Sequence, residues 1–313
     1  VDLGGYTVTS EVGQLLTIGD NLTVKNGNFV FKAAGSGLAI GATDDIEVTF
    51  DNVDLVFEKG DGLKINVDAN SADVVFNNSS VTVNEGTKGI YITGDEPNED
   101  NAITLKDTDV TVVPSTGTKD TAAMVIDVPV TVNVTGGTFT GTYQAIVVRA
   151  GTVTVDGATL DVKDDKSEAD DAIEDATDFE AIANDTYGDT NWNKFAMNVK
   201  LQEYRQHGIW TNGAEINGLP RAAVVVGSSG SDGAVKFSST VKLTNITYAN
   251  ADYAKVVVGA YFGADAGECK VVVNAVDGNF VEDKDTDGYI LCDNYTDGIV
   301  TINGTVQKRP ANA

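Results

Sequence analysis

The stretch TVNVTGGTFT (131–140) is followed 21 positions later by TVTVDGATLD (152–161), and this repetition decides the fold. In the first block Val132 and Val134 alternate with polar residues, and after a gap Phe139 opens a second apolar run. Alternation with a period of two is typical of a β-strand that buries one face. The gap between the two runs predicts a corner that joins two short strands.

Equivalent blocks recur along the chain at intervals of 21 to 29 residues. Their first apolar pairs are Leu22/Val24, Val48/Phe50, Val74/Phe76, Ile103/Leu105, Val132/Val134 and Val153/Val155. A third alternating pair closes each repeat, as in Ile90/Ile92 and Ile146/Val148. A unit of three strands with one apolar face each cannot enclose a core alone, so successive units must stack.

We therefore predict an all-β fold, a right-handed parallel β-helix (solenoid) of about nine to ten three-strand rungs. A β-sandwich also contains many short alternating strands, but it has no fixed offset between homologous pairs. The repeats predict a single β-helix domain over residues 1–313. Residues 163–221 interrupt the pattern between the second and third strands of one rung, which predicts a long insertion. Its first half has the spacing of a short acidic helix that begins near Ser167.

The chain carries 21 basic and 47 acidic residues and a net charge of −26. This charge argues against nucleic acid as a partner, because phosphates would be repelled. No apolar stretch of the sequence approaches the length of a membrane span, so membrane insertion is not expected. Val1 already lies within the repeat pattern, so we expect a signal peptide or a longer chain before it. The expected location is therefore secreted or at the cell surface.

The second half of the insertion concentrates aromatic and basic residues, including both tryptophans and the only histidine. The candidate ligand-binding residues are Trp192, Tyr204, Arg205, His207, Trp210 and Arg221. Aromatic faces stack on sugar rings, and Arg or His donates hydrogen bonds to hydroxyls and carboxylates, so this group predicts a glycan-binding surface. The alternative is that the aromatic residues form a small core that packs the insertion against the outer wall of the solenoid.

The sequence DKDTDG (283–288) places Asp283, Asp285 and Asp287 at alternating positions before a glycine. This spacing lets several oxygens converge on one cation, as at the start of an EF-hand loop, and it predicts a calcium site. The twelfth position, where an EF-hand has Glu, is Asn294, which excludes a true EF-hand. Asp and Gly also occur at such corners for turn formation alone.

Cys269 and Cys292 are the only cysteines, and they lie 23 positions apart, close to the length of one rung. Residues one rung apart stack on adjacent turns, so the spacing is compatible with a disulfide. Two inert thiols are the alternative, because the sequence does not fix the Cβ geometry.

Patterns that indicate catalysis are sparse. The repeat places Asp127 and Arg149 at outward positions on successive rungs, where they form either an ion pair between rungs or part of a lyase-like site. The sequence contains no Ser-His-Asp arrangement, nucleotide-binding loop or zinc-ligand spacing. An enzyme is therefore the less favoured interpretation.

The blocks at 132–139 and 152–160 resemble the repeats of secreted right-handed β-helix proteins of the pectate-lyase-like superfamily, particularly adhesin-like surface proteins of bacteria. The resemblance covers roughly residues 1–162 and 222–306 and implies the architecture alone. We expect a non-enzymatic extracellular surface or structural protein that contacts glycans or assembles end to end with copies of itself. The alternative is a polysaccharide lyase or glycoside hydrolase of the β-helix type.

Overall fold

The structure is a computed structural model that describes seventeen segments of the chain. They are residues 1–12, 16–34, 38–40, 45–67, 72–94, 101–114, 121–142, 144–163, 222–228, 230–231, 235–236, 238–250, 255–261, 269–274, 289–291, 298–302 and 305–307. All regular structure in these segments is β-strand. None of the described segments forms a helix of the length and hydropathy needed to cross a membrane.

The strands follow the three-per-repeat pattern. In chain order they are β1 (Thr7–Ser10), β2 (Leu16–Ile18), β3 (Leu22–Phe31), β4 (Leu38–Ile40), β5 (Ile46–Phe57), β6 (Leu63–Asn66), β7 (Ala72–Asn77), β8 (Ser80–Val83), β9 (Lys88–Thr93), β10 (Ala102–Lys106), β11 (Asp109–Val112), β12 (Ala122–Ile126), β13 (Thr131–Thr135), β14 (Thr138–Gly141), β15 (Gln144–Val148), β16 (Gly151–Asp156), β17 (Thr159–Val162), β18 (Ala222–Ser228), β19 (Gly230–Ser231), β20 (Val235–Lys236), β21 (Ser239–Thr244), β22 (Thr247–Ala249), β23 (Val256–Tyr261), β24 (Cys269–Asn274), β25 (Tyr289–Leu291), β26 (Gly298–Ile302) and β27 (Thr305–Gln307).

These strands form two long sheets. Sheet A has 16 strands and contains the first and second strands of each repeat, and sheet B has nine strands, ordered β2-β4-β6-β9-β12-β15-β18-β23-β25, which are the third strands. Pairing within both sheets is parallel, except that β27 runs antiparallel to β26 at one end of sheet A. Strands β19 and β20 form a separate antiparallel hairpin. The prediction of a β-solenoid with stacked parallel strands is confirmed, whereas the rung number and the helical part of the insertion stay predictions.

Each inward column of side chains continues from one rung to the next. Val132 pairs in register with Ile103 on one side and Val153 on the other, and all three are fully buried. Near the N-terminal end the columns contain stacked phenylalanines, with ring centroids 4.7 Å apart for Phe31 and Phe57. The core is therefore a set of continuous apolar columns, as period-two alternation predicts.

The corner between the first and second strands uses a left-handed backbone conformation. Its residues, which all have φ between 45° and 69°, are Asn26, Asn52, Asn78, Asp107, Gly136, Gly157 and Asn245. Asn, Asp and Gly are the residue types that tolerate this conformation at low cost. Asn52 Nδ2 donates a hydrogen bond to Asn26 Oδ1 at 3.2 Å, so the corner side chains also link neighbouring rungs. In β3 and β5 the backbone passes this corner as one strand.

Candidate functional site

Most residues that the sequence patterns singled out lie outside the described residues. These are the candidate ligand-binding residues Trp192, Tyr204, Arg205, His207, Trp210 and Arg221 and the candidate calcium ligands Asp283, Asp285 and Asp287. Their roles in binding glycans and calcium stay predictions. Within the described segments, no group of three or more His, Cys, Asp or Glu side chains is arranged to hold a metal ion.

Only one of the two cysteines lies within the described residues. Cys269 is the first residue of β24, and its partners in register are Ser239 on one side and Gly298 on the other. Cys292 directly follows β25 and lies outside the described residues. The disulfide therefore stays a prediction.

The described part of the chain offers one candidate site, the outer face of sheet B. In β12 and β15 the side chains of Met124, Ile126, Ile146 and Val148 belong to the core. Val125 and Val147 lie between these residues, so they point to the opposite side of the sheet. We call this side the outer face of sheet B.

A column of register-paired residues runs along the middle of this outer face. It consists of Lys64, Tyr91, Val125, Val147 and Val225. The column changes from polar to apolar at Val125. Val125, Val147 and Val225 are at most 1% exposed although they point away from the core. This part of the outer face is therefore covered.

An ion pair lies next to the covered valines. Asp127 follows β12, Arg149 follows β15, and Arg149 N donates to Ile126 O at 2.8 Å, which sets the two residues on successive rungs. Arg149 Nη1 lies 2.9 Å from Asp127 Oδ1, and the two side chains are 20% and 12% exposed. The prediction that these residues are neighbours on successive rungs is confirmed.

Tyr91 extends this pair onto the preceding rung. Its hydroxyl donates a hydrogen bond to Asp127 Oδ2 at 2.7 Å. Both carboxylate oxygens of Asp127 are therefore engaged, one by Arg149 and the other by Tyr91. The fixed position of Tyr91 follows from β9, in which the buried Ile90 and Ile92 flank it.

Lys88 completes a chain of contacts across four rungs. Its Nζ lies 4.7 Å from the centre of the Tyr91 ring and 3.6 Å from Asp61 Oδ2. Asp61 Oδ1 also accepts hydrogen bonds from the backbone and hydroxyl of Thr87, at 3.1 and 2.7 Å. The sequence Asp61, Lys88, Tyr91, Asp127, Arg149 thus alternates negative and positive groups around an aromatic ring, and its formal charges sum to zero.

This arrangement favours a structural or binding role over acid–base catalysis. A general base must be free to take a proton from a substrate, and a carboxylate held by a guanidinium and a hydroxyl is poorly placed to do so. Conversely, ion pairs of low exposure hold their geometry, because removing one partner leaves the other charge poorly solvated. The five contacting side chains therefore form a paired group of zero net charge next to an apolar surface.

The repeat pattern predicts Asp127 and Arg149 as neighbours, but it does not predict the contacts of Tyr91 and Lys88 or the covered valines. A signal for the valines is present in the third strands AAMVI (122–126), QAIVV (144–148) and AAVVV (222–226), which lack alternation. Strands that are buried on both faces read as continuous apolar runs. The runs thus mark the part of sheet B that is covered.

A scan against protein-family models found no match, and searches of curated proteins and of solved structures found none either. Membership of the pectate-lyase-like superfamily stays a prediction.

Proposed function

We propose that this protein is a non-enzymatic extracellular surface or structural protein with the adhesin-like organisation of a right-handed parallel β-helix. The observation that carries the proposal is the mutual pairing of the charged groups on the outer face of sheet B, Asp61 with Lys88 and Asp127 with Arg149. A hydrolase or lyase needs an acid or base that reaches the substrate, whereas a scaffold needs rigid neutral contacts between rungs.

In this proposal the insertion at 163–221 makes the contact with glycans. It leaves the solenoid after β17 and returns at β18, a strand of the covered face. Its aromatic and basic residues suit stacking on sugar rings and hydrogen bonding to their hydroxyls. Calcium binding at Asp283, Asp285 and Asp287 would then act on the stability of the distal rungs and not on chemistry at the glycan.

The N-terminal end of the described part of sheet A supports assembly with further copies. At the N-terminal end the terminal strand of the described sheet is β1, which pairs with β3. Most of the exposed large apolar residues of the described chain gather there, with Val1, Tyr6 and Val12 71%, 78% and 59% exposed. A terminal strand beside exposed apolar residues is a site for pairing with another chain.

A glycan panel tests the binding proposal. Purified protein is applied to neutral and acidic polysaccharides with calcium or with a chelator, and both retention and the release of products are measured. We expect retention without products, weakened at least tenfold by Trp210→Ala and unchanged by Thr152→Ala, an exposed residue on sheet A. Product release would replace the proposal with the alternative, a polysaccharide lyase or glycoside hydrolase, and absence of retention across the panel would remove the glycan part.

Light scattering of the full chain tests assembly separately. We expect the average mass to increase with protein concentration and the increase to be suppressed by Val8→Asp, which places a charge on β1. A mass equal to the 32.7 kDa of one chain at all concentrations would contradict assembly.

A further inference from the structure

The corner residue Asn26 differs from its equivalents in the residue that follows it. Asn26, Asn52 and Asn78 are all exposed at left-handed corners, with φ of 55°, 58° and 45°. The second is followed by valine and the third by serine, whereas Asn26 is followed by Gly27. Within the described segments this is the only Asn-Gly pair. Such pairs deamidate spontaneously faster than other asparagine dipeptides, because glycine has no side chain to hinder attack by its backbone nitrogen.

Deamidation at this pair requires only water. The backbone nitrogen of Gly27 attacks Cγ of Asn26, and the new N–Cγ bond closes a succinimide ring. The Cγ–Nδ2 bond breaks, and the side-chain nitrogen leaves as ammonia with the proton of the Gly27 N–H. Water then opens one of the two C–N bonds of the ring. The product is either aspartate or isoaspartate, in which the main chain passes through Cγ.

Packing requires a glycine at position 27, so the fold itself creates the reactive pair. A Cβ at Gly27 would lie 2.5 Å from Leu3 Cβ and 2.6 Å from Tyr6 O. Only glycine allows the backbone to approach this closely. Asn26 in turn suits the corner, because asparagine tolerates the left-handed conformation. The two requirements place Asn and Gly at adjacent positions, where the chemistry of the pair follows.

In the intact protein Asn26 fastens the first rung, residues 1–10, to the next one. Its Nδ2 donates to Asp2 Oδ1 and Oδ2 at 3.2 and 3.3 Å, and its carbonyl accepts a hydrogen bond from Gly5 N at 2.8 Å. Deamidation removes the Nδ2 donor and places a second carboxylate against Asp2, where the like charges repel. Isoaspartate also lengthens the main chain by one atom at the corner, so the alignment with Gly5 is lost.

We propose that Asn26 is a site of spontaneous modification, and that its deamidation releases the first rung from the solenoid. The hydrogen bonds with Asp2 and Asn52 hold the Asn26 amide in place, so deamidation is slow while the first rung is bound. The product prevents the rung from binding again, so its opening is recorded as a covalent change. The inference is independent of the proposed function, because it holds whether or not the chain binds glycans or assembles.

Peptide mapping by mass spectrometry tests the site. The full chain is incubated at mildly alkaline pH, and aspartate and isoaspartate are quantified at the three corner asparagines. We expect at least ten times more product at Asn26 than at Asn52 or Asn78, whose conformation and exposure match. Asp2→Ala removes the acceptor of Asn26 Nδ2 and should raise the rate at least twofold, whereas Asp54→Ala, at an exposed position of β5, should not change it. Equal product at the three corners, or an unchanged rate in Asp2→Ala, would overturn the proposal.

Hydrogen exchange tests the release of the first rung. Asn26→Gly cannot deamidate and keeps the corner, since Gly136 and Gly157 occupy the equivalent positions with a φ of 69°. Amide exchange of the peptide that covers residues 1–10 is measured in fresh and incubated samples of the wild type and of this variant. We expect exchange to become at least tenfold faster in the incubated wild type and to stay unchanged in the variant.

Ion exchange separates the modified and unmodified fractions of the incubated wild type, which gives the same comparison without a substitution. The modified fraction should show the fast exchange and the unmodified fraction the slow one. Slow exchange of residues 1–10 in the fraction modified at Asn26 would overturn the release of the first rung.

Discussion

The outer faces of the two sheets differ although the same alternating pattern builds both. On sheet A the outward residues Glu47, Asp73 and Asn133 are exposed. On sheet B the outward residues Val125 and Val147 are as buried as the core. In this solenoid the inward positions therefore determine the fold. The exposure of the outward positions depends on the surroundings of each sheet.

The largest difference between the two faces is expected when the same charge is placed on each. Val147→Asp should lower the free energy of unfolding by about 3 kcal/mol, because the carboxylate is placed at a fully buried apolar position. Asn133→Asp should change it by about 0.5 kcal/mol or less, because that side chain is exposed. Urea unfolding followed by circular dichroism measures both. Equal losses for the two variants would show that the faces do not differ.

The next largest difference between the two sheets is expected in the coupling energies of their ion pairs. A double-mutant cycle with Asp127→Asn and Arg149→Met should give a coupling of about 1.5–3 kcal/mol, because both partners are largely withdrawn from water. On sheet A, Lys25 Nζ lies 3.5 Å from Asp51 Oδ2, and the two side chains are 49% and 39% exposed. Their cycle should give about 0.5 kcal/mol or less, and this coupling should vanish in 1 M salt. A stronger coupling for the sheet A pair would reverse the interpretation.

A smaller effect is expected at the left-handed corner residues, where the backbone conformation restrains sheet A. Asn52 has a φ of 58°, so Asn52→Ala should cost about 1 kcal/mol in unfolding free energy. Asn52→Gly relieves the backbone constraint and loses only the side-chain hydrogen bond to Asn26, so it should cost less. If thermal unfolding shows that Ala is tolerated better than Gly, the conformational explanation of the corner is wrong.

The smallest expected effect concerns Lys255, which directly precedes β23 of sheet B. Burial lowers the pKa of its ammonium group below the ordinary value of 10.5, and its Nζ lies 5.8 Å from the centre of the Tyr248 ring. The folded state therefore disfavours the protonated form, so the destabilisation is complete below the folded pKa. It disappears as pH rises through that pKa towards 10.5.

The measurement for Lys255 is the unfolding free energy of wild type and Lys255→Met over the alkaline range. Met carries no charge at any pH, so the wild type should gain stability relative to this variant as the lysine loses its proton. A difference between the two proteins that stays constant, or that moves in the opposite direction, would contradict the assignment of the shift to burial.

The sequence was sufficient to predict the inward columns, because alternation at Val132 and Val134 has one physical cause, the burial of one strand face. It also placed Asp127 beside Arg149, because residues at equivalent positions of successive repeats must stack. The corner residues were missed, although Asn26, Asn52 and Asn78 recur with the repeat. The recurrence of Asn, which tolerates the left-handed conformation, was the available signal.

Other features depend on contacts that a repeat pattern does not contain. The contact of Lys88 with Tyr91 depends on the paths of two long side chains, and spacing alone does not determine these. The antiparallel pairing of β27 with β26 occurs at one end of sheet A, and the repeat pattern of the sequence does not predict it. Burial on the outer side of sheet B is not a property of the repeat, so only the loss of alternation in the sequence pointed to the covered valines.

Thiol accessibility tests the difference between the two faces most directly. Val147→Cys and Asn133→Cys are made separately in a Cys269→Ser, Cys292→Ser background, so that each protein has one thiol on the outer side of one sheet. The labelling rate with a maleimide is measured under native conditions and again in denaturant. We expect the cysteine at 133 to react at the rate of the unfolded chain and the cysteine at 147 to react at least a hundredfold more slowly until the protein unfolds. Native labelling of the two thiols at similar rates would contradict the account.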